Sequence, residues 1–228
     1  MSSPLRQRRR TAATREILDA AREQIGVSGP AGLSLRSVAR SLEMTVQALY
    51  HYFPSRDELI TTLITEAYLD LAETVEDAVA AAPGFIPAAT AFRAWAIGNA
   101  PMFQLIYGTP LPHYEAPDNG RTTDASRRLA SVFVRELFGP YAPEQLARAD
   151  VPPLSAALRD RLDDLPPPGI GTLPAPAVAL FVSVWGHLHG LVTLEAFGHT
   201  AFIGPLQAEL FQGAMQSLLA DVRRRIPA

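Results

Sequence analysis

Residues 34–53 read SLRSVARSLEMTVQALYHYF. Leu35, Val38, Ala39 and Leu42 recur at i, i+3, i+4 and i+7, the apolar stripe of one amphipathic helix, and Ser34 stands where a cap would accept a backbone N–H. Thr45 can cap a second helix that follows at once. In it Leu49 and Phe53 turn to the core, and Val46, Gln47, Ala48, Tyr50 and His51 are left on the outer face. A helix that short, buttressed by its neighbours and carrying small and hydrogen-bonding side chains outward, has the dimensions to enter a DNA major groove. The pair predicts a helix-turn-helix with a recognition helix at 45–52.

Upstream, Ile17, Ala20, Ala21 and Ile25 predict a first helix from about Arg9 to Ile25, ended by Gly26 or Gly29. Downstream, Pro54 breaks the chain, and Ser55 with Glu58 forms a capping box for a long helix to about Ala82. Pro83-Gly84 closes it. Helices follow at 87–99, 101–107 and 123–138, the last with Leu129, Val132, Phe133, Leu137 and Phe138 inward. After a proline-broken stretch at 143–165, two final helices are expected at 175–197 and 205–225, joined by a short turn that favours an antiparallel pair. No segment alternates as a sheet strand would, so the fold class is all-α. The chain divides into a flexible basic arm at 1–11, a helix-turn-helix domain at 12–54 and a helical remainder at 55–228.

The 228 residues are 48% hydrophobic with mean hydropathy +0.08, enough for a substantial core. There is no cysteine, which excludes disulfides, thiol catalysis and Cys-based zinc sites, and the cytoplasm is the expected compartment. The N-terminus lacks the apolar stretch of a secretory signal. A membrane span at 175–194 meets the length threshold, but His187, His189, Gly186, Gly190 and the prolines at its start stand against it, with no basic cluster at its flanks. A helix buried on two sides looks the same, and no membrane partner is expected. The net charge of −3 conceals a split: residues 1–60 hold nine Arg against six acids, and residues 61–228 eleven Arg against seventeen acids. The basic end is therefore the DNA-facing candidate, and Arg8, Arg9 and Arg10 suit phosphate or minor-groove contact.

Arg15-Glu16-Ile17-Leu18-Asp19-Ala20-Ala21, Gly29, Gly32, residues 35–42 and LEMTVQALYHYFPSRDEL at 42–59 together resemble the DNA-binding domain of TetR-family transcriptional regulators. The run from Ala48 to Leu59 carries most of that likeness. The resemblance implies that Thr45, Val46, Gln47 and Ala48 touch base edges and that Tyr50 and His51 touch phosphates or thymine methyls. Gln can bond adenine, and Val and Ala can meet a thymine methyl. Ser34, Arg36 and Arg56 complete the DNA-facing set, Arg56 at a helix N-terminus. Glu43 departs from the family, which usually has Gly at this turn, where the left-handed conformation costs an L residue on the order of 1 kcal/mol.

Trp185-Gly186-His187-Leu188-His189-Gly190-Leu191 and FQLIYGTP at 103–110 resemble the C-terminal subclass named after its Trp, His and Gly, implying a ligand-binding and dimerisation domain. Its interface would come mainly from the last two helices, with Gly186, Gly190, Leu210 and Met215 as the candidate contacts. Trp185 and His189, four apart, share a helix face and read either as a buried core pair or as cavity lining. With Phe92, Trp95, Met102, Phe103, Tyr107 and Phe133 they form the candidate effector set, equally readable as core. No charged residue stands in it, which favours a neutral or lipophilic effector. His187 and His189 point roughly 200° apart on a helix and cannot chelate one metal together. Neither a nucleophile elbow nor a phosphate-binding glycine loop is present, so no enzyme activity, metal or cofactor is expected. The resulting expectation is a homodimeric repressor that binds a palindromic operator in double-stranded DNA and is released by a small-molecule effector. The alternative is a DNA-binding dimer without effector response, acting through a protein partner.

Overall fold

The computed structural model describes residues 4–117 and 120–228. Among them the chain forms eleven α-helices and no strand, as the absence of β patterning requires. They are α1 (Pro4–Ser28), α2 (Leu35–Ser41), α3 (Val46–Tyr50), α4 (Arg56–Ala81), α5 (Phe85–Gly98), α6 (Ala100–Tyr107), α7 (Arg121–Phe138), α8 (Pro143–Leu146), α9 (Ala156–Asp163), α10 (Ala175–Ala196) and α11 (Gln207–Arg225). Short 3-10 turns lie at Pro30–Gly32, Gly169–Thr172 and Ala201–Leu206.

The start of the first helix moves, and the choice between its two possible stops is decided. It begins at Pro4, so the described part of the basic arm is helical, while residues 1–3 lie outside the described residues. Arg, Gln and Ala are good helix formers, and proline is tolerated in a first turn. Thr11 and Thr14 add side-chain bonds to the carbonyls of Gln7 and Arg10. The helix also runs through Gly26 and stops at Gly29, whose φ of 70° only glycine takes without strain.

The chain forms two compact units, one of residues 1–68 with 99–123 and one of residues 69–98 with 124–228. The first unit's core joins Ile17, Leu18, Ala21 and Ile25 of α1 to Val38, Leu49 and Phe53, and to Leu59, Ile60 and Leu63 of α4. Leu105 of α6 belongs to the same cluster, with Met102, Ile106, Leu111 and Tyr114 packed against it. These side chains, distant in sequence, draw α6 and the following loop into the helix-turn-helix unit.

In the second unit Phe85, Phe92 and Phe133 are fully buried, and Leu129, Val178, Val184, Leu188 and Phe211 are buried as well. Arg93 grips Glu195 at two points, with Nε to Oε2 at 2.7 Å, and its guanidinium lies 5.7 Å from the centre of the Phe211 ring. One salt bridge therefore touches α5, α10 and α11. The N-terminus of α10 is capped by Asp163, whose Oδ1 accepts from the Ala175 N–H at 2.9 Å. By length and composition α10 could cross a membrane, its most apolar window having a mean hydropathy of 1.6. Its inner side, including Val178, Phe181, Val184, Leu188 and Val192, is nevertheless core.

Candidate nucleic-acid interface

Local chemistry fixes where α3 starts. Thr45 takes an extended conformation and its Oγ1 accepts from the Ala48 N–H at 3.1 Å. The Ser34 hydroxyl does the same for Ser37, more loosely, at 3.5 Å. Ser34 is steadied from α1, because Gln24 accepts from its N–H and donates to the Gly32 carbonyl. Between α2 and α3 the chain reverses through Glu43, held at φ 53°, with Met44 N–H bonded to the Ala39 carbonyl at 2.9 Å. The departure from glycine does not prevent the turn.

The result is a short helix with two different sides. Leu49 is completely buried and Phe53 nearly so, whereas Gln47 and His51 are exposed and Tyr50 keeps 43% of its surface. Thr45 and Arg36 are exposed on the same pair of elements and its connecting turn. Val46 and Ala48 are half-buried, and Val46 packs on the core, so its role is divided. Arg56 is half-buried and its Nε donates to the Leu33 carbonyl at 3.2 Å, tying the start of α4 to the loop before α2. Arg8, Arg9 and Arg10 are exposed on the first turns of α1. Gln24 and the partners of Glu58 were not legible in the sequence. Ser55 does cap α4, accepting from Glu58 N–H at 3.1 Å, but the Glu58 carboxylate accepts from Arg121. That partner is far along the chain, and no local pattern announces it.

The candidate effector residues divide between the two units. In the first, Tyr107 stands edge-on to Tyr68 and tilted against Phe103, with Met102 half-buried beside the core. In the second, Trp185 meets Phe92 at 5.4 Å and Phe133 at 5.5 Å between ring centres. His189 lies 5.8 Å from Trp185, as their shared face requires, and its Nδ1 is 3.3 Å from Thr193 Oγ1. Burial holds the imidazole pKa below its ordinary value and so keeps the ring neutral. Trp95 is buried, with Nε1 donating to Asp70 at 2.7 Å.

Of the interface candidates, Gly186 is exposed, Gly190 half-buried and Leu210 49% exposed. Met215 has no exposed surface within its own chain, because on α11 it follows Phe211 by four residues and both point inward. Leu210 lies one step round the helix, on the outer side.

Two family models match the chain: "Bacterial regulatory proteins, tetR family" over residues 17–63, and "Tetracyclin repressor-like, C-terminal domain" over residues 85–218. The HTH-type transcriptional regulators Rv1816 of Mycobacterium tuberculosis and Mb1846 of Mycobacterium bovis are each 34% identical over 192 residues, covering 80% of this chain and 80% of theirs. Among solved structures, the regulatory protein SCO4313 superposes with a TM-score of 0.77 at 34% identity, covering 94% of this chain and 98% of that one. PfmR from Thermus thermophilus, a TetR-family regulator, shares the fold at 15% identity and a TM-score of 0.56, over 90% of this chain and 97% of its own. With both family models matched and relatives 34% identical over 80% of the chain, the chain belongs to the TetR family of DNA-binding transcriptional regulators.

Proposed function

We propose that the protein is a cytoplasmic homodimeric repressor that binds a palindromic operator through two copies of α3 and leaves it when a small, neutral or lipophilic effector binds. The observation that carries the operator reading is the polarity of α3, which buries Leu49 while Gln47, Tyr50 and His51 face outward. Two-fold symmetry in the protein matches a palindrome in the duplex.

The dimer reading is supported by the exposed side of the last two helices. Val182 and Leu194 on α10, Leu210 on α11, and Phe197 and Leu206 in the connection between them are exposed large apolar side chains, and Gly186 and Gly190 allow close approach. The effector reading is supported by the aromatic group around Trp185 and the neutral His189 beside it, which would accept an uncharged ligand. Arg93 and Glu195 already neutralise each other. Effector binding would bias the separation of the two recognition helices, with the size of the response limited by the effector's differential affinity for the two states. One observation favours the second reading, a dimer without effector response: Phe92 and Phe133 are fully buried against each other and against Trp185, so the cluster fills its own interior.

The test of the operator reading is the double variant Gln47→Ala with Tyr50→Ala. Each lost base-edge contact is worth about 1–3 kcal/mol, so preference for a selected duplex over random competitor should collapse while the sedimentation profile stays that of a dimer. Unchanged preference at matched salt would overturn it.

A further inference from the structure

α4 is held from two sides. Leu59, Ile60, Leu63 and Ile64 face the helix-turn-helix core. On other faces, Glu58, Thr61 and Thr62 meet two residues from far along the chain. Arg121 Nη2 donates to Glu58 Oε1 at 2.7 Å and to Thr62 Oγ1 at 2.9 Å, with the Glu58 carbonyl at 3.4 Å. The Tyr114 hydroxyl lies 3.0 Å from the Oγ1 of Thr61, a buried side chain. Further along α4, Tyr68 OH donates to the Ile106 carbonyl at 3.5 Å. The Arg121 and Tyr114 contacts fall on the first turns of α4, just after the recognition helix. Those turns are also fastened to the loop before α2 by Arg56 and Leu33.

The placement of Arg121 adds a second point. α4 and α7 are the helices whose residues are divided between the two compact units. Arg121 is the first residue of α7, and it bonds to the first turn of α4. Arg121 therefore bonds to α4 at the end that follows α3.

We propose that Arg121 and Tyr114 are positioning residues for DNA recognition, setting the angle at which the start of α4 presents α3. This rests on the DNA-binding reading of α3, since neither residue touches a base in it. A positioning role makes a demand that simple stabilisation does not. It affects the specific complex, where α3 must seat in the groove, and spares non-specific binding, which depends on phosphate charge alone.

The experiment uses the full-length chain and a duplex enriched by it from a random pool, with an unrelated duplex of equal length as reference, titrated by fluorescence anisotropy across a salt series. Arg121→Gln should lower the ratio of specific to non-specific affinity roughly two- to fivefold, the range for an exposed ion pair. Tyr114→Phe should lower it by up to about fivefold, the worth of one hydrogen bond. Non-specific affinity and the salt slope should stay at wild-type values, and Arg121→Lys should recover part of the ratio. A ratio unchanged in both variants overturns the proposal, even if the unfolding midpoint falls. Equal loss on both duplexes also overturns it, because that marks a general loss of folded protein. Should a variant fold poorly, amide exchange of residues 46–58 in Arg121→Lys decides the same question: faster exchange there than in the wild type supports positioning, and an unchanged profile rejects it. If the wild-type chain enriches no duplex, the reading of α3 fails instead.

Discussion

Glu43 occupies the left-handed region at φ 53°, where an L side chain crowds its own backbone. Asparagine tolerates this region better than glutamate and, unlike glycine, does not greatly loosen the unfolded chain. Glu43→Asn should therefore stabilise the protein by about 0.5 kcal/mol, seen as a higher midpoint in urea; an equal or lower midpoint would show that the turn is not strained. His189 supports a pH prediction. Its pKa in the folded state lies below the ordinary imidazole value because burial opposes charging. As pH falls through about 6.5 the unfolded chain takes up the proton first, so stability is full above that value and declines below it. His189→Gln should flatten the fall in unfolding midpoint between pH 7 and the acid side, and an undiminished slope would assign it to other groups.

Among the elements, the clasp of the second unit is the Arg93 and Glu195 pair, which joins α5 to α10 beside Phe211 on α11. Both side chains are largely buried, at 17% and 10% exposure. Removing one partner leaves the other charge uncompensated, so Arg93→Ala should cost about 3 kcal/mol, and the double change Arg93→Met with Glu195→Leu should recover much of it. Denaturant unfolding of the set decides this, and a mild single-variant loss would mean that water reaches the carboxylate. How much of this the sequence disclosed depends on range. α3, α4 and α7 were legible because caps and apolar periodicity act within a few residues of Thr45, Ser55 and Leu129. The start of α1 was not, because arginines suit a solvated tail as readily as a helix. Met215 lies close to Leu210 in sequence yet faces the other way, since each residue turns a helix side chain by about 100°. The recruitment of Leu105, Tyr114 and Arg121 to the DNA-binding unit had no local trace, since each meets partners more than forty residues away.

For the whole molecule, the exposed side of α10 and α11 sets a clear expectation. A Cβ built on Gly190 would meet no neighbouring side chain or other element within 4 Å in its own protomer. Gly190→Arg and Leu210→Glu should therefore leave the fold intact, as checked by circular dichroism, and shift the sedimentation coefficient from dimer towards monomer. A dimer that survives both would place the partner elsewhere. The composition of the first compact unit bears on how such a protein can be cut and recombined. Its hydrophobic interior closes only when residues from beyond position 98 return to it. A fragment ending after Tyr68 would lack Leu105 and the side chains packed beside it, and a chimera spliced there would inherit a reader without its cover. Exchange of sensing modules between relatives is then favoured at breakpoints that carry 99–123 along with the amino-terminal helices, making the transferable cassette discontinuous in sequence though continuous in space.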